Sequence, residues 1–296
     1  MNDPEPFYIL PKIEQGMESV LIFGGNGYFA QAFKKHMPSA QRTLEDITDP
    51  VKVRTVLDTC KPTVVLNCAG KTGKPNVDWC ETHQEETWRS NVLGPLCLAE
   101  ACAERNIILA QISSGCIYEG DNAGKGFGEE DPPNFFGSYY SRSKIAAEKE
   151  LASYNNILLV RPRMPIDSVH GRRNFITKIT KYQKVISVPN SMSIIDDFVR
   201  ATQVLIQQRK TGTYNVVNPG VITHQEILDM YRAIVDPNFT YTLMTLEELH
   251  QQTAAKRSNC VLSTKKLQEE GIHLPEIHAA VEQALQAYKE QYKNSS

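Results

Sequence analysis

The chain has 296 residues, about two domains' worth on a prior of roughly 100 to 200 residues per domain. Hydrophobic residues make up 41% and charged ones 22%, which excludes a disordered or fibrous chain. Lys plus Arg number 32 against 34 Asp plus Glu, a formal charge of -2, so no basic excess calls for nucleic acid or an acidic membrane face.

The seven Cys are odd in number and none has C-x-x-C spacing. Several sit in apolar runs such as VVLNCAG and LCLAEACAE, where Cys behaves as a small hydrophobe, and this favours a reducing compartment over a disulfide framework. The N-terminal stretch MNDPEPFYILPKIEQG is acidic and broken by Pro, unlike a signal or transit peptide. No run reaches the ~18 apolar residues of a membrane span, and a cytoplasmic location is expected.

Along the chain, strand and helix patterns alternate. Residues 19–23 (SVLIF) form an apolar run ending in glycines, and 31–36 continue as a helix. A second buried run, 63–68 (TVVLNC), follows Lys61-Pro62, and 85–105 reads as one long amphipathic helix with Val92, Leu96, Ala99 and Cys102 on one face. Residues 107–112 (IILAQI) and 157–160 (ILLV) are two more buried strands, with a helix over 141–154 between them. This alternation predicts an α/β fold, a Rossmann-type doubly wound parallel sheet covered on both faces. After Arg161 the pattern loosens into a basic loop, RPRMPIDSVHGRRNF, and a short helix in ITKITKYQK. Residues 194–208 are expected to return to the sheet as a helix, 213–217 (TYNVV) as a strand, and 277–292 as a final amphipathic helix. The expected division is a dinucleotide-binding domain, 18–165 with 192–218, and a smaller mixed substrate domain, 166–191 with 219–296.

Two motifs carry chemistry. Gly24, Gly25 and Gly27 follow the first strand in G-x-x-G-x-x-A spacing; glycines let backbone approach a pyrophosphate, and the next helix N-terminus supplies donors. The same spacing also serves a plain tight turn. Tyr140-Ser141-Arg142-Ser143-Lys144 places Tyr and Lys on one helix face, where the ammonium would lower the phenol's pKa and make it a proton donor to a carbonyl oxygen. Ser113-Ser114 end the strand IILAQI, at the sheet edge where ligands bind.

In this order, glycine loop, Ser and Y-x-x-x-K resemble the extended short-chain dehydrogenase/reductase superfamily over nearly the whole chain. The segments GKTGKPNVDWCETH, SSGCIYEG, GFGEEDPPNFFGSYYSRSK, RPRMPI, RRNFITKITKYQKV, VPNSMSIIDD and KRSN look closer still to one group, the nucleotide-rhamnose synthase/epimerase-reductases, relatives of dTDP-4-dehydrorhamnose reductase. The resemblance implies a bifunctional 3,5-epimerase/4-reductase that converts UDP-4-keto-6-deoxy-D-glucose to UDP-L-rhamnose with NADPH, NADH being possible, after a separate 4,6-dehydratase has supplied the keto sugar. It implies a catalytic set of Ser114, Tyr140 and Lys144, with the epimerase pair at Cys116 and Lys178. Ser114 and Cys116, two apart on an extended strand, would point the same way. Gly24, Gly27, Tyr28, Phe29, Asn67, Ala69, Tyr140 and Lys144 would line the cofactor, Asp46 and Ile47 its adenine, and Arg42 a 2′-phosphate. Asn76, Cys80, Arg163, Asn174 and Arg257 would meet the nucleotide-sugar, the arginines clamping diphosphate; Arg172 and Arg173 are further candidates, and Arg161 is equally a structural ion-pair partner. The segment PSAQRTLEDITD departs from the relatives. No metal site is expected, because no His/Cys/Asp cluster has ligand spacing. A homodimer is the default assembly. The rival readings are a monofunctional dTDP-4-dehydrorhamnose 4-reductase and a non-catalytic NADP-sensing regulatory subunit.

Overall fold

A computed structural model of the chain describes residues 18–293; the Pro-broken stretch 1–16 lies outside them. Six strands form one parallel sheet: β1 (Val20–Phe23), β2 (Gln41–Thr43), β3 (Val64–Asn67), β4 (Ile108–Ile112), β5 (Ile157–Arg161) and β7 (Gly212–Asn215). Their spatial order is β2-β1-β3-β4-β5-β7, so the chain reverses its direction of travel across the sheet between β1 and β3. That reversal opens a crevice at the carboxyl ends of the strands, the usual ligand position in such sheets. Strands β1, β3, β4 and β5 are buried on both faces, which is why each reads as an unbroken apolar run.

One face is covered by α1 (Tyr28–His36) and a later helix at Ile195–Gln207, whose Phe33, Phe198 and Val204 share a cluster with β1, β3, β4 and β5. The other face carries α2 (Pro50–Cys60) and, after two single turns, α3 (Asp78–Thr82) and α4 (Gln84–Trp88), the helix α5 (Gly94–Ala103). Next come α6 (Tyr139–Leu151), α7 (Phe175–Ile179) and α8, the helix at Ile195–Gln207. The C-terminal part adds α9 (His224–Ile234), α10 (Leu246–Gln252), α11 (Lys265–Glu269) and α12 (Ile277–Lys293). A second cluster packs Ile176 and Ile179 of α7 against Ile227 and Tyr231 of α9 and Val281, Leu285 and Tyr288 of α12. Beside it, β6 (Lys184–Val185) and β8 (Thr242–Leu243) make a small parallel pair.

Two departures from the sequence reading have physical causes. The helix expected over 85–105 is interrupted by a π-turn at Arg89–Leu93. The extra residue rotates the following turns, so Leu98 enters the core and Leu96 stays half-buried. The edge strand β2 and helix α2 carry little apolar periodicity. Helix α2 is fixed instead by Asp49, which caps the Val51 and Lys52 amides, and by Pro50 in the first turn.

At the sheet's carboxyl edge Glu148 of α6 pairs with Arg161 of β5 at 2.6 Å, both nearly solvent-free, and takes a hydrogen bond from Ser113 after β4. This settles the Arg161 alternative in favour of the ion pair. Glu148→Ala leaves a buried guanidinium uncompensated, and urea unfolding should show a loss of about 3–5 kcal/mol.

Candidate active site

The glycine loop leaves β1 at the β1/β3 reversal. Gly24 adopts φ +72°, and a Cβ there would stand 2.6 Å from the Ala69 nitrogen, so only glycine lets this turn lie against the end of β3. The Gly27 amide donates to the Gly24 carbonyl at 2.7 Å, and Gly27 then caps α1 without a side chain over the helix N-terminus. Exposed Arg42 donates to the Gly25 carbonyl at 3.2 Å, leaving the rest of its guanidinium beside the loop. A bare-backbone cradle on a helix start, with a cation at its rim, fits the phosphates of a dinucleotide.

On the far side of the crevice, Ser138 caps α6 by accepting the Ser141 amide, which fixes where the Tyr140–Lys144 face begins. Tyr140 and Lys144 are 8% and 5% exposed. Lys144 donates from Nζ to the Ile112 carbonyl at 3.2 Å and lies 5.9 Å from the centre of the Tyr140 ring. Gly70 opens the opposite wall: a Cβ there would reach within 3.8 Å of that Nζ. The expected effect of Lys144 on the phenol is not what dominates. Burial raises the Tyr140 pKa, Cys116 raises it further, and the Ser114 hydrogen bond only partly opposes this. The phenol is therefore held protonated, the state a proton donor needs. Burial lowers Lys144 to about 8, with Glu148 and Cys116 opposing.

Ser114 and Cys116 do not lie on a strand. Strand β4 ends at Ile112, and the chain turns so that the Cys116 amide donates to Ser114 Oγ at 3.1 Å. The turn still gathers Ser114, Tyr140 and Cys116, since both of the other groups act on the Tyr140 phenol. Lys178 touches none of them. It sits in the last turn of α7, its ammonium in no hydrogen bond or ion pair among the described residues, its pKa lowered by burial and then by Arg173. Arg173 donates to Thr72 and the Gly73 carbonyl, joining α7 to the loop that begins beside Lys144.

Several expected ligand residues are placed otherwise. Arg163 is 1% exposed, with its guanidinium bonded to Asn190, Ser258 and the Cys116 sulfur, so no face of it reaches a diphosphate. Asn174 is fully buried; its amide caps α7 and bonds the Asp167 and Val169 carbonyls. Asn67 pairs with Gln111 and accepts the Ala69 amide. Ile47 is buried, its side chain packed where Gly94 opens α5. Cys80 is solvent-free rather than a wall of the substrate loop, and it lies close enough to act on the Tyr140 phenol. Asn76 accepts the Asp78 amide. Arg257, partly exposed, pairs bidentately with Asp78 at 2.8 Å. Tyr28 donates to Asp167 at 3.0 Å, Phe29 packs on Phe198, and Asp46 accepts the Thr48 amide and hydroxyl.

Asn91 was not singled out by the sequence. It sits in the π-turn, bonds both backbone groups of Lys71 and donates to Ser143, tying the loop after β3 to α6. Its only signal is an Asn inside an apolar helix. Among the described residues no group of three or more His, Cys, Asp or Glu side chains is placed to hold a metal, and no helix is long and apolar enough to cross a membrane.

A parallel sheet with a glycine loop at its reversal and a Ser–Tyr–Lys array across the crevice is the arrangement of the extended short-chain dehydrogenase/reductases. The chain belongs to the RmlD substrate binding domain family, whose model matches residues 17–290. It is 47% identical over 220 residues, 72% of this chain and 73% of the relative, to a bifunctional dTDP-4-dehydrorhamnose 3,5-epimerase/dTDP-4-dehydrorhamnose reductase of Arabidopsis thaliana. It is 44% identical over 220 residues to a trifunctional UDP-glucose 4,6-dehydratase/UDP-4-keto-6-deoxy-D-glucose 3,5-epimerase/UDP-4-keto-L-rhamnose-reductase of the same plant, and that match spans only 33% of the relative's length. Among solved structures, the UDP-rhamnose synthase of Acanthamoeba polyphaga mimivirus superposes with a TM-score of 0.88 at 35% identity, over 92% of this chain and 100% of that one.

The low Lys144 pKa has a consequence for stability. Between about pH 8 and its ordinary 10.5 the unfolded chain binds the proton that the folded protein has lost, so folding gains as pH rises through this range. Without added nucleotide, Lys144→Met should therefore be more stable than wild type below pH 8. Urea unfolding at a series of pH values should show that advantage shrinking as pH approaches 10.5.

Proposed function

We propose that the protein is a 3,5-epimerase/4-reductase that converts UDP-4-keto-6-deoxy-D-glucose to UDP-L-rhamnose with NADPH. The observation that carries the reading is the thiol of Cys116, set beside the Ser114–Tyr140 pair at the end of β4. A reductase alone has no use for a second acid–base group there. The named activities of the Arabidopsis and mimivirus relatives support the same assignment.

The residues act as follows. A 4-keto group acidifies the protons on C3 and C5. Cys116 as thiolate removes one, the C–H pair becoming the double bond to C4 while the carbonyl π pair moves onto O4, and the resulting enolate oxygen accepts hydrogen bonds from Ser114 and Tyr140. Lys178, partly desolvated and unpaired, returns a proton to the other face of the carbon, which inverts it; exchange with water then deprotonates Cys116 and reprotonates Lys178 before the second carbon. After both centres have inverted, Tyr140, held protonated by burial, gives its proton to O4. Gly24–Gly27 would hold the phosphates of NADPH and Arg42 its 2′-phosphate, and the cofactor would supply hydride chemistry at C4. Lys144 replaces the lost phenolic proton's charge with its ammonium and is steadied by Glu148. The uridine diphosphate is assigned to the side bounded by Arg257 and Asn76, and the keto sugar must come from a 4,6-dehydration.

Cys116→Ser and Lys178→Met should each cut conversion of UDP-4-keto-6-deoxy-D-glucose to the L-configured product by about 100-fold or more, a general acid–base contribution. Each should reduce supplied UDP-4-keto-L-rhamnose at close to the wild-type rate, whereas Tyr140→Phe should lose both reactions. Unchanged epimerisation in the first two variants, followed by chromatography of the nucleotide-sugars, would remove Cys116 and Lys178 as the acid–base pair, whereas wild-type protein that reduces UDP-4-keto-L-rhamnose but forms no L-configured product from UDP-4-keto-6-deoxy-D-glucose would be a plain 4-reductase.

A further inference from the structure

Arg163 lies two residues past the end of β5, just after Pro162, and its guanidinium is buried without any carboxylate in ion-pair range among the described residues. An arginine stays charged in a protein, and a buried charge needs a partner. The partners present are neutral: Asn190 Oδ1 at 2.5 Å, the Ser258 carbonyl at 2.7 Å and its hydroxyl at 3.1 Å, while Nε has none. The remaining contact is Nη1 to the Cys116 sulfur at 3.3 Å. The geometry points to Arg163 as the positioning residue that aims the Cys116 sulfur and serves as the counter-ion of its thiolate. Buried Glu148 neutralises Arg161, two residues earlier, so of these two arginines only Arg163 is left for the thiolate.

The other groups near the sulfur do not take over this task. Lys144 also acts on Cys116 but is shared with Glu148. The Tyr140 phenol and the Cys260 thiol, both pushed up by burial, are neutral neighbours. His224, near Arg163, is held at about 4 by burial and then by that arginine, so it carries no charge at neutral pH. With the guanidinium fixed by Asn190 and Ser258, the sulfur faces a cation whose position does not depend on substrate. In the epimerase reading, on which this inference rests, the thiolate takes a proton from carbon as the C–H pair becomes part of the enolate, and the Arg163 guanidinium stands opposite that sulfur.

The test is residue-resolved alkylation of Cys116 by iodoacetamide, followed by peptide mass spectrometry from roughly pH 5 to 10, because the thiolate is the reacting form. Arg163→Met should shift the Cys116 profile to higher pH, with alkylation at pH 7 about tenfold slower or more. Asn190→Asp tests the same point with a near-isosteric change: it gives the guanidinium a carboxylate partner and should shift the profile the same way. Arg163→Lys should keep most of the wild-type profile, and Cys97 on α5 should not respond in any variant. An unmoved Cys116 profile in folded Asn190→Asp or Arg163→Met protein overturns the inference. If the profile moves but Cys116→Ser still epimerises, the ion pair stands and the base assignment fails. If the profile stays fixed while Cys116→Ser has lost epimerisation, the epimerase reading stands and the pairing fails.

Discussion

Glu148 is the carboxylate on which the sheet edge depends. From the last turn of α6 it compensates Arg161 of β5, accepts the Ser113 hydroxyl after β4 and supports the charge of Lys144 one turn earlier in its own helix. Two strand ends and the helix bearing Tyr140 are thereby locked in one relative position. Such a network is costly to bury and costly to break, so its value lies in fixing geometry more than in net stability. Ser114, Tyr140 and Cys116 meet at one point because Ser113 ties the turn after β4 to this pair and Ser141, in the first turn of α6, donates to the Cys116 carbonyl at 2.6 Å.

Electrostatic division of labour follows from the same arrangement. Two arginines, Arg161 and Arg163, leave β5 in succession, and both are buried. One is neutralised by a carboxylate and stabilises the frame; the other has only neutral partners and a thiol. The overall charge of -2 conceals this contrast. Surface charge is handled differently: Arg42 beside the glycine loop and Arg257 above Asp78 remain accessible to solvent.

Much of this was legible in the sequence, for identifiable reasons. Strands β1, β3, β4 and β5 are fully buried and appear as apolar runs, and the Tyr140–Lys144 face is set by helix periodicity. Strand β2 is three residues long and exposed, so it leaves no such mark. The π-turn at Arg89–Leu93 is equally silent, because one extra backbone residue changes register without changing composition. Within the site, residue type was visible but burial was not. Arg163 and Asn174 look like phosphate and ligand contacts in a basic loop, yet the fold uses one against the half-buried Cys116 sulfur and the other as a helix cap. Cys80 and Cys116 could not be ranked by environment until the chain brought both to Tyr140.

The central claim is that one chain both exchanges the C3 and C5 protons and reduces C4. Incubating the protein with UDP-4-keto-6-deoxy-D-glucose and NADPH in heavy water, then examining the product by NMR, tests it directly. The account predicts a rhamnose product carrying deuterium at both C3 and C5. A product reduced at C4 with protium retained at those carbons would contradict it.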